Sequence, residues 1–438
     1  MLREALIQAG MASGLAAFID ILIGVIIAAS FGMAWVLFGI WIERKMAGRI
    51  QLRLGPNRVG PYGLIQNIAD ALKLLTKEII VPRNADKPVY WLAPVLAVVS
   101  VILIAAVIPF SSVVIGTDLN IGILYVIAVS SIGTIAILMA GWGSNNKYAL
   151  LSAFRVVAQL ISYEVPMVLA LLIPVMLAGT MSMQGLVEQQ HVWYIFQVPL
   201  AALLFLIASQ AENGRAPFDL LEAESELVSG YNIEYSGMAF AMFYLAEFMH
   251  AFFIAIIFTV LFLGGWRGPG AEQLPILGIL YLMLKATVVY SVTVWLRLTV
   301  PRVRIDQILD LNWKVLVPLA LVMVVVLAFL FKLVPAPDYV AAQALADGDF
   351  TGVASGLYRV LGPEFVVELP RAGVLLLGNI LLFAGAASVL RWFGRRERLA
   401  VEDLVDETDY SSPAASMGAH GGESPAHPSD ADAAAAAR

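Results

Sequence analysis

Nine apolar runs divide this chain, at roughly 16–42, 91–110, 121–141, 158–180, 195–211, 238–264, 274–297, 314–335 and 371–392. Crossing the hydrocarbon layer takes about 20 residues, and only the fifth run falls short. Lipid offers no partners for backbone N–H and C=O groups, so such runs must form helices or a closed barrel. The regular alternation that a barrel requires is nowhere present. The sequence therefore predicts an all-α polytopic transmembrane helix bundle of about nine spans, with amphipathic surface helices. Composition agrees, since 14% of residues are charged against about 25% in a soluble domain. Cysteine is absent, which excludes disulfides, thiolate metal sites and cysteine-held iron–sulfur clusters within the chain. His420 and His427, two of the four histidines, lie in a polar tail, so no metal site is expected. The N-terminus leads into an apolar run too long for a cleaved signal and is read as retained.

Charge placement sets the topology. The alternate segments 43–90, 142–157, 212–237, 297–315 and 391–438 hold 21 of the 27 Lys and Arg residues. Basic connections stay cytoplasmic, which puts the N-terminus outside and the C-terminus inside. In the first inward segment, Gly-Pro pairs at 55–56 and 60–61 force turns. After them Leu64, Ile68, Leu72, Leu75 and Ile79 recur at helical spacing, with Asp70, Lys73 and Lys77 among the polar positions. That pattern reads as an amphipathic helix at the membrane surface. The expected layout is a core over 1–335, an outward loop with an interfacial helix over 336–370, a further span at 371–392, and a largely disordered cytoplasmic tail over 393–438. Low complexity and little to bury define that tail.

The most unusual segment is AENGRAPFDLLEAESELVSGYNIEY. Glu212, Asp219, Glu222, Glu224, Glu226 and Glu234 are opposed there by Arg215 alone, between two apolar runs. Ionisable groups at the hydrocarbon boundary are costly and point to ion movement or catalysis. Pro217 suits the first turn of a helix, so a short helix is expected from Ala216-Pro217. Asp219, Glu222 and Glu226 would then share one face. Carboxylates so close couple their titrations and can store or pass protons near neutral pH. A solvated acidic loop is the plainer alternative, but Phe218, Leu220, Leu221, Leu227 and Val228 would pack the segment down.

Charges within the spans point the same way. Glu164 follows Tyr163, with Pro166 just beyond; Glu247 and His250 lie in the sixth run and Lys285 in the seventh. A charge at mid-membrane costs about 3 kcal/mol on insertion scales. Lys285 is therefore expected to pair with a carboxylate of another helix, either as part of a proton route or as a static ion pair. Asp20 lies near the outer end of the first run and can reach water. Arg297, Arg302 and Arg304, with Asp306, read as topology anchors.

Four blocks then carry a resemblance: ERKMAGRIQLRLGPNRVGPYGLIQNIADALKLLTKE, SYEVP, AENGRAPFDLLEAESELVSGYNIEYSGMAFAMFYLAEF and PRVRIDQILDLNWKVLVP. In this order they resemble the signature blocks of the NuoH family, the H-type membrane subunit of respiratory complex I and its mitochondrial subunit one. The likeness covers roughly residues 15–335; the run at 371–392 and the tail exceed the family's eight-span core. The resemblance implies a subunit of the proton-pumping NADH:quinone oxidoreductase, a translocase, that binds no redox cofactor itself. It implies quinone as substrate, with ubiquinone and menaquinone both open, and iron–sulfur clusters and FMN in partner subunits. The implied partners are the peripheral-arm quinone-site and iron–sulfur subunits, small membrane-arm subunits and the lipid bilayer, with no nucleic acid.

By position, the resemblance assigns Glu43, Arg44, Arg53, Asp70 and Lys73 to the quinone chamber. Tyr163, Glu164, Glu212, Arg215, Asp219, Glu222, Glu226, Glu234, Glu247 and Lys285 fall on the proton pathway. Arg297, Arg302 and Arg304 match the family's basic positions. The added span and tail favour a bacterial plasma membrane over an organelle. A related energy-converting hydrogenase subunit and a secondary ion transporter are the competing classes, and no internal repeat supports the transporter.

Overall fold

The computed structural model describes residues 13–219, 230–333 and 363–410. Among these residues the elements are helical, apart from one extended bridge between Pro109 and Ile115. Eight helical runs are long and apolar enough to cross a membrane, and a shorter apolar helix, Pro199–Glu212, stands at the expected fifth span. In chain order the helices are α1 (Ser13–Ile50), α2 (Gln66–Thr76), α3 (Lys87–Ala105), α4 (Gly122–Gly143), α5 (Lys147–Ala178), α6 (Met183–Glu188) and α7 (Tyr194–Gln197). After them come α8 (Pro199–Glu212), α9 (Gly237–Phe262), α10 (Pro275–Thr299), α11 (Ile305–Leu311), α12 (Val317–Leu333) and α13 (Pro363–Tyr410). A π turn, Asn312–Leu316, joins α11 to α12 into one span. The chain forms two compact units, Met1–Leu381 and Leu382–Arg438. The bundle is the first; in the second, the described part is the helix leading to Tyr410.

Helix α9 is the core of the bundle. Residues Ala251 to Phe262 are buried without a break, and α3, α10, α1 and α2 pack against it. A helix apolar on every side is stable only when surrounded. Short connections set the order of its neighbours. The N–H of Asp86, before α3, bonds the carbonyl of Gly143 at the end of α4, and Ile123 N–H bonds Met181 O after α5. One end of the bundle gathers the connections 51–86, 144–146, 213–219, 230–236 and 300–304, which carry eight Lys and Arg residues.

Several boundaries depart from expectation. The fourth span begins at Lys147, not near 158, so most of segment 142–157 is helix. Asn146 caps it, its side chain accepting from Tyr148 N–H at 2.9 Å, and such a cap satisfies an otherwise orphaned donor. Residues 216–218 form a turn, not a helix start at Ala216-Pro217, closed by Phe218 N–H on Arg215 O at 2.9 Å. Glu222, Glu224 and Glu226, with the helix expected to carry them, lie outside the described residues. The surface helix is present as α2, with Ile68, Leu72 and Leu75 exposed along it. The loop expected at 336–370 falls largely outside the described residues, as does the tail beyond Tyr410. Helix α13 itself extends past both ends of the run expected at 371–392.

Two prolines inside helices have the same resolution. Proline lacks the N–H that would bond the carbonyl four residues back. Pro94 in α3 thereby leaves the Tyr90 carbonyl open, and Tyr235 Oη donates to it at 3.1 Å. Pro166 in α5 does the same at Ser162, whose carbonyl accepts from Asn312 Nδ2 of the π turn at 2.6 Å. Both replacements come from outside these helices: Tyr235 closes the acidic stretch, and Asn312 lies in the π turn after α11.

Candidate functional site

The turn after α8 is held tightly. Gln159 of α5, buried, donates through Nε2 to Ala211 O at 2.6 Å and to Phe218 O at 2.9 Å. Val303 N–H bonds Pro217 O at 3.0 Å. This places Arg215 in the bundle with a side chain 2% exposed. Its Nη1 lies 3.4 Å from Glu43 Oε2 on α1, and its Nε 3.4 Å from Glu247 Oε1 on α9. The guanidinium also stands 4.8 Å from the ring of Phe248 and 5.9 Å from that of Tyr290. Glu43 carries a second cation, Arg297 of α10, and accepts from Tyr290 Oη at 3.3 Å. Burial works against the charge on Arg215, but Glu43, Tyr290 and Glu247 outweigh it and hold its titration above the ordinary arginine range.

Next to this cluster a cavity of about 80 Å³ is lined by Ser130, Glu212, Asn213, Glu247 and His250 among others. A smaller one, about 20 Å³, shares Ser130, Glu212 and His250 and continues between Met167, Phe205 and Ile257. A water needs roughly 10–15 Å³ of such space and two or more polar partners, so the larger cavity has room for several. Glu212 bonds Ser130 and faces Glu164, and Ser131 Oγ donates to Glu164 Oε1 at 2.9 Å. Glu212 Oε2 is buried without a hydrogen-bond partner among the described residues. His250 Nδ1 lies 2.9 Å from Asn213 Oδ1. The result is a run of titratable groups from Glu43 through Arg215 and Glu247 to His250, Glu212 and Glu164, with water-sized space along it.

Other predicted residues occupy different places. Glu234 accepts from Asn146 Nδ2 at 2.6 Å, and its backbone carbonyl accepts from Tyr90 Oη at 2.9 Å. The Tyr90 and Tyr235 rings stack at 4.2 Å; burial and Tyr90 push the Tyr235 hydroxyl well above its usual range. Asp219 is the last described residue of the acidic segment before 220–229, and the described residues resume at Gly230. Tyr163 Oη donates to Ile308 O at 3.0 Å, tethering α11. Arg302 and Arg304 sit in the extended connection before α11, with Arg304 N–H on Gln307 Oε1 at 3.3 Å.

Arg44, next to Glu43 but on another face of α1, pairs with Asp70 of α2 at 2.6 Å. Burial raises the Asp70 carboxyl, but bonds from Arg44 and Gln66 outweigh it and leave it below its usual range. Exposed Lys73 adds to that effect. Arg53 lines a separate hollow of about 500 Å³ with Trp41, Lys45, Arg49, Tyr62 and Leu64. Between Tyr62 and Leu64, Gly63 stands at φ +78°, where a side chain would collide with the Pro56 carbonyl.

Among the described residues Lys285 pairs with backbone carbonyls and not with the expected carboxylate. Its Nζ donates to three backbone carbonyls, Leu263 and Arg267 at 2.8 Å and Gly265 at 3.0 Å. It also lies 4.9 Å from the Trp193 ring. The carbonyls follow the C-terminus of α9, where a helix dipole favours a cation. Lys285→Met is expected to lower the thermal midpoint in detergent, with a cost of roughly 3 kcal/mol or more for three orphaned acceptors. An unchanged midpoint would count against this tether.

The linear sequence marks His250 without giving it a role, and it gives no sign of Ser130, Ser131, Asn213 and Tyr290. His250 carries a signal, being ionisable within a span. The hydroxyls and the amide carry none, because such residues are common in membrane helices.

Together these features define a polytopic helical membrane protein with a guanidinium buried between carboxylates beside water-sized cavities. A family model described as NADH dehydrogenase matches residues 23–328, and the chain belongs to that family. It is 49% identical over 321 residues to the H subunit of NADH-quinone oxidoreductase from Dehalococcoides mccartyi (strain CBDB1), covering 73% of this chain and 89% of the relative. It is 50% identical over 298 residues to the protein of that name from Geobacillus kaustophilus, covering 68% of this chain and 89% of the relative. A third relative so named, from Brevibacillus brevis, is 46% identical over 303 residues, 68% of this chain and 90% of its own length.

Proposed function

We propose that the chain is the membrane subunit of a proton-pumping NADH:quinone oxidoreductase, complex I. It forms the wall of a quinone chamber together with peripheral-arm subunits and passes the charge change of quinone reduction into the membrane. The observation that carries this reading is Arg215, buried between Glu43 and Glu247 beside a cavity lined by Glu212. The exposed apolar face of α2 and the hollow around Arg53 lie at the same basic end, as suits a docking surface for an amphiphilic substrate and soluble partners. By the positive-inside bias, that end faces the cytoplasm of a bacterial plasma membrane. Iron–sulfur clusters and FMN belong to partner subunits in this reading.

Converting a quinone to quinol takes two electrons and two protons, so charge appears abruptly beside the site. At an effective dielectric of 20, unit charges 4 Å apart interact by about 4 kcal/mol. That is enough to decide whether a neighbouring carboxyl holds its proton. Glu43, Arg44, Arg53, Asp70 and Lys73 meet the substrate or its chamber. The acidic segment with Glu212, Glu164, Glu234 and Glu247 carries the response inward. Arg297, Arg302 and Arg304 fix the basic rim. Lys285 holds the far end of α9 and α10.

Affinity purification of the tagged chain from its native membranes tests the assignment. The expected result is a large assembly with NADH- and flavin-containing partners that oxidises NADH with quinone. Recovery with hydrogenase catalytic subunits, or of the chain alone as an active ion carrier, would reject it.

A further inference from the structure

Helix α13 lies beyond the family match, which ends at residue 328, and the charged axis makes no use of it. Its first part nevertheless carries two buried polar side chains, Glu368 at 6% and Asn379 at 1% exposure. Each one satisfies backbone elsewhere. Glu368 Oε2 accepts from Val192 N–H at 3.0 Å, and Asn379 Nδ2 donates to Gln197 O at 3.3 Å. Both targets sit in the irregular stretch that precedes α8.

That stretch needs partners for a physical reason. Helix α8 has 14 residues, about 21 Å at 1.5 Å per residue, against roughly 30 Å of hydrocarbon. The rest of the distance is made by the four residues of α7 and by Val198, whose φ of −135° and ψ of 62° interrupt the helix. Irregular backbone at membrane depth survives only where protein pairs it. Within the bundle, Val192 O takes the Gln197 side-chain amide at 3.2 Å, and Gln190 O takes Arg267 Nη1 at 3.2 Å. Val192 N–H and Gln197 O are paired by α13. Contact there is local: Ala372 and Leu375 are buried, and a Cβ on Gly378 would meet the side-chain end of Leu330 on α12. The Arg371 guanidinium lies 3.9 Å from the centre of the Phe331 ring. Trp193, adjoining Val192, is the ring beside Lys285, so the same turn bears on the lysine that ties α9 to α10.

We propose that α13 is a partner helix carried within the chain, closing the flank of the bundle that the broken α7–α8 pair leaves open. Glu368 and Asn379 are positioning residues for the 192–198 backbone, and no separate helix or lipid fills that flank. The chain has no cysteine, so paired cysteines report on it cleanly. Oxidation of Leu330→Cys/Gly378→Cys in native membranes is expected to cross-link α12 to α13. In the purified native assembly, Glu368→Leu is expected to speed amide hydrogen exchange of peptides covering 189–198 by about tenfold or more, because the buried Val192 N–H is left without its acceptor. Glu368→Gln, which keeps an acceptor oxygen, should stay within about threefold of the unaltered protein. Failure of Glu368→Leu to assemble while Glu368→Gln assembles also supports the proposal. No cross-link in an assembled complex, exchange unchanged by Glu368→Leu, or a foreign helix or lipid cross-linking to position 330 overturns it.

Discussion

Replacing Arg215 with methionine is expected to abolish quinone-linked NADH oxidation and to deplete the assembled complex. The side chain is 2% exposed and touches carboxylates from two helices, Glu43 of α1 and Glu247 of α9. Methionine fills similar volume but leaves both carboxylates without that partner in a low-dielectric site. Removing one member of a buried charge cluster costs about 3–5 kcal/mol, a large part of a membrane subunit's margin. Glu43 keeps Arg297 and the bond from Tyr290, so part of its environment survives the change. Arg215→Lys restores the charge but not the planar fork or its stacking near Phe248 and Tyr290, and it should recover assembly better than activity. Native gels and quinone-reductase rates in membranes read the two effects separately. Wild-type assembly with wild-type rates in Arg215→Met would remove the basis for treating this cluster as functional.

The second large effect is expected at Glu212. Glu212→Gln keeps the shape and the bond to Ser130 but removes a proton site on the wall shared by both cavities. The complex should assemble, and NADH oxidation by a water-soluble artificial acceptor should be unchanged. Quinone-linked proton translocation should fall by about tenfold or more, the low end of what a positioned acid–base group contributes being about a hundredfold. Glu222→Gln/Glu226→Gln is expected to match it if the acidic segment acts as one transmitter. Glu272→Gln, at a side chain 72% exposed on the opposite end, should leave pumping intact. Full translocation in Glu212→Gln would show that protons bypass this cavity.

How far the sequence could be read depended on the range of the interaction involved. Apolar run length located the spans because it is a local property set against a fixed membrane thickness. The start of α5 was misplaced by eleven residues because Lys147 and Arg155 look like loop charges, although Asn146 is a good cap. Of the apolar side chains expected to pack the acidic segment down, Phe218 is buried, and Leu220, Leu221, Leu227 and Val228 lie outside the described residues. For Lys285 the sequence showed that an ammonium within a span needs partners. It gave no sign that backbone carbonyls after α9 would provide them.

Span number, helical class, the basic end and the concentration of carboxylates between Glu212 and Glu234 were all present in the linear order of residues, because each rests on composition over a short window. Which groups meet was settled by packing. Glu43 joins Arg215 across 172 positions, Asn312 answers the carbonyl opened by Pro166, and Glu368 reaches Val192 across 176 positions. The reason is that a buried charge or unpaired backbone group must find a partner, but many residues could serve. Only the placement of helices around α9 selects the one within hydrogen-bond distance.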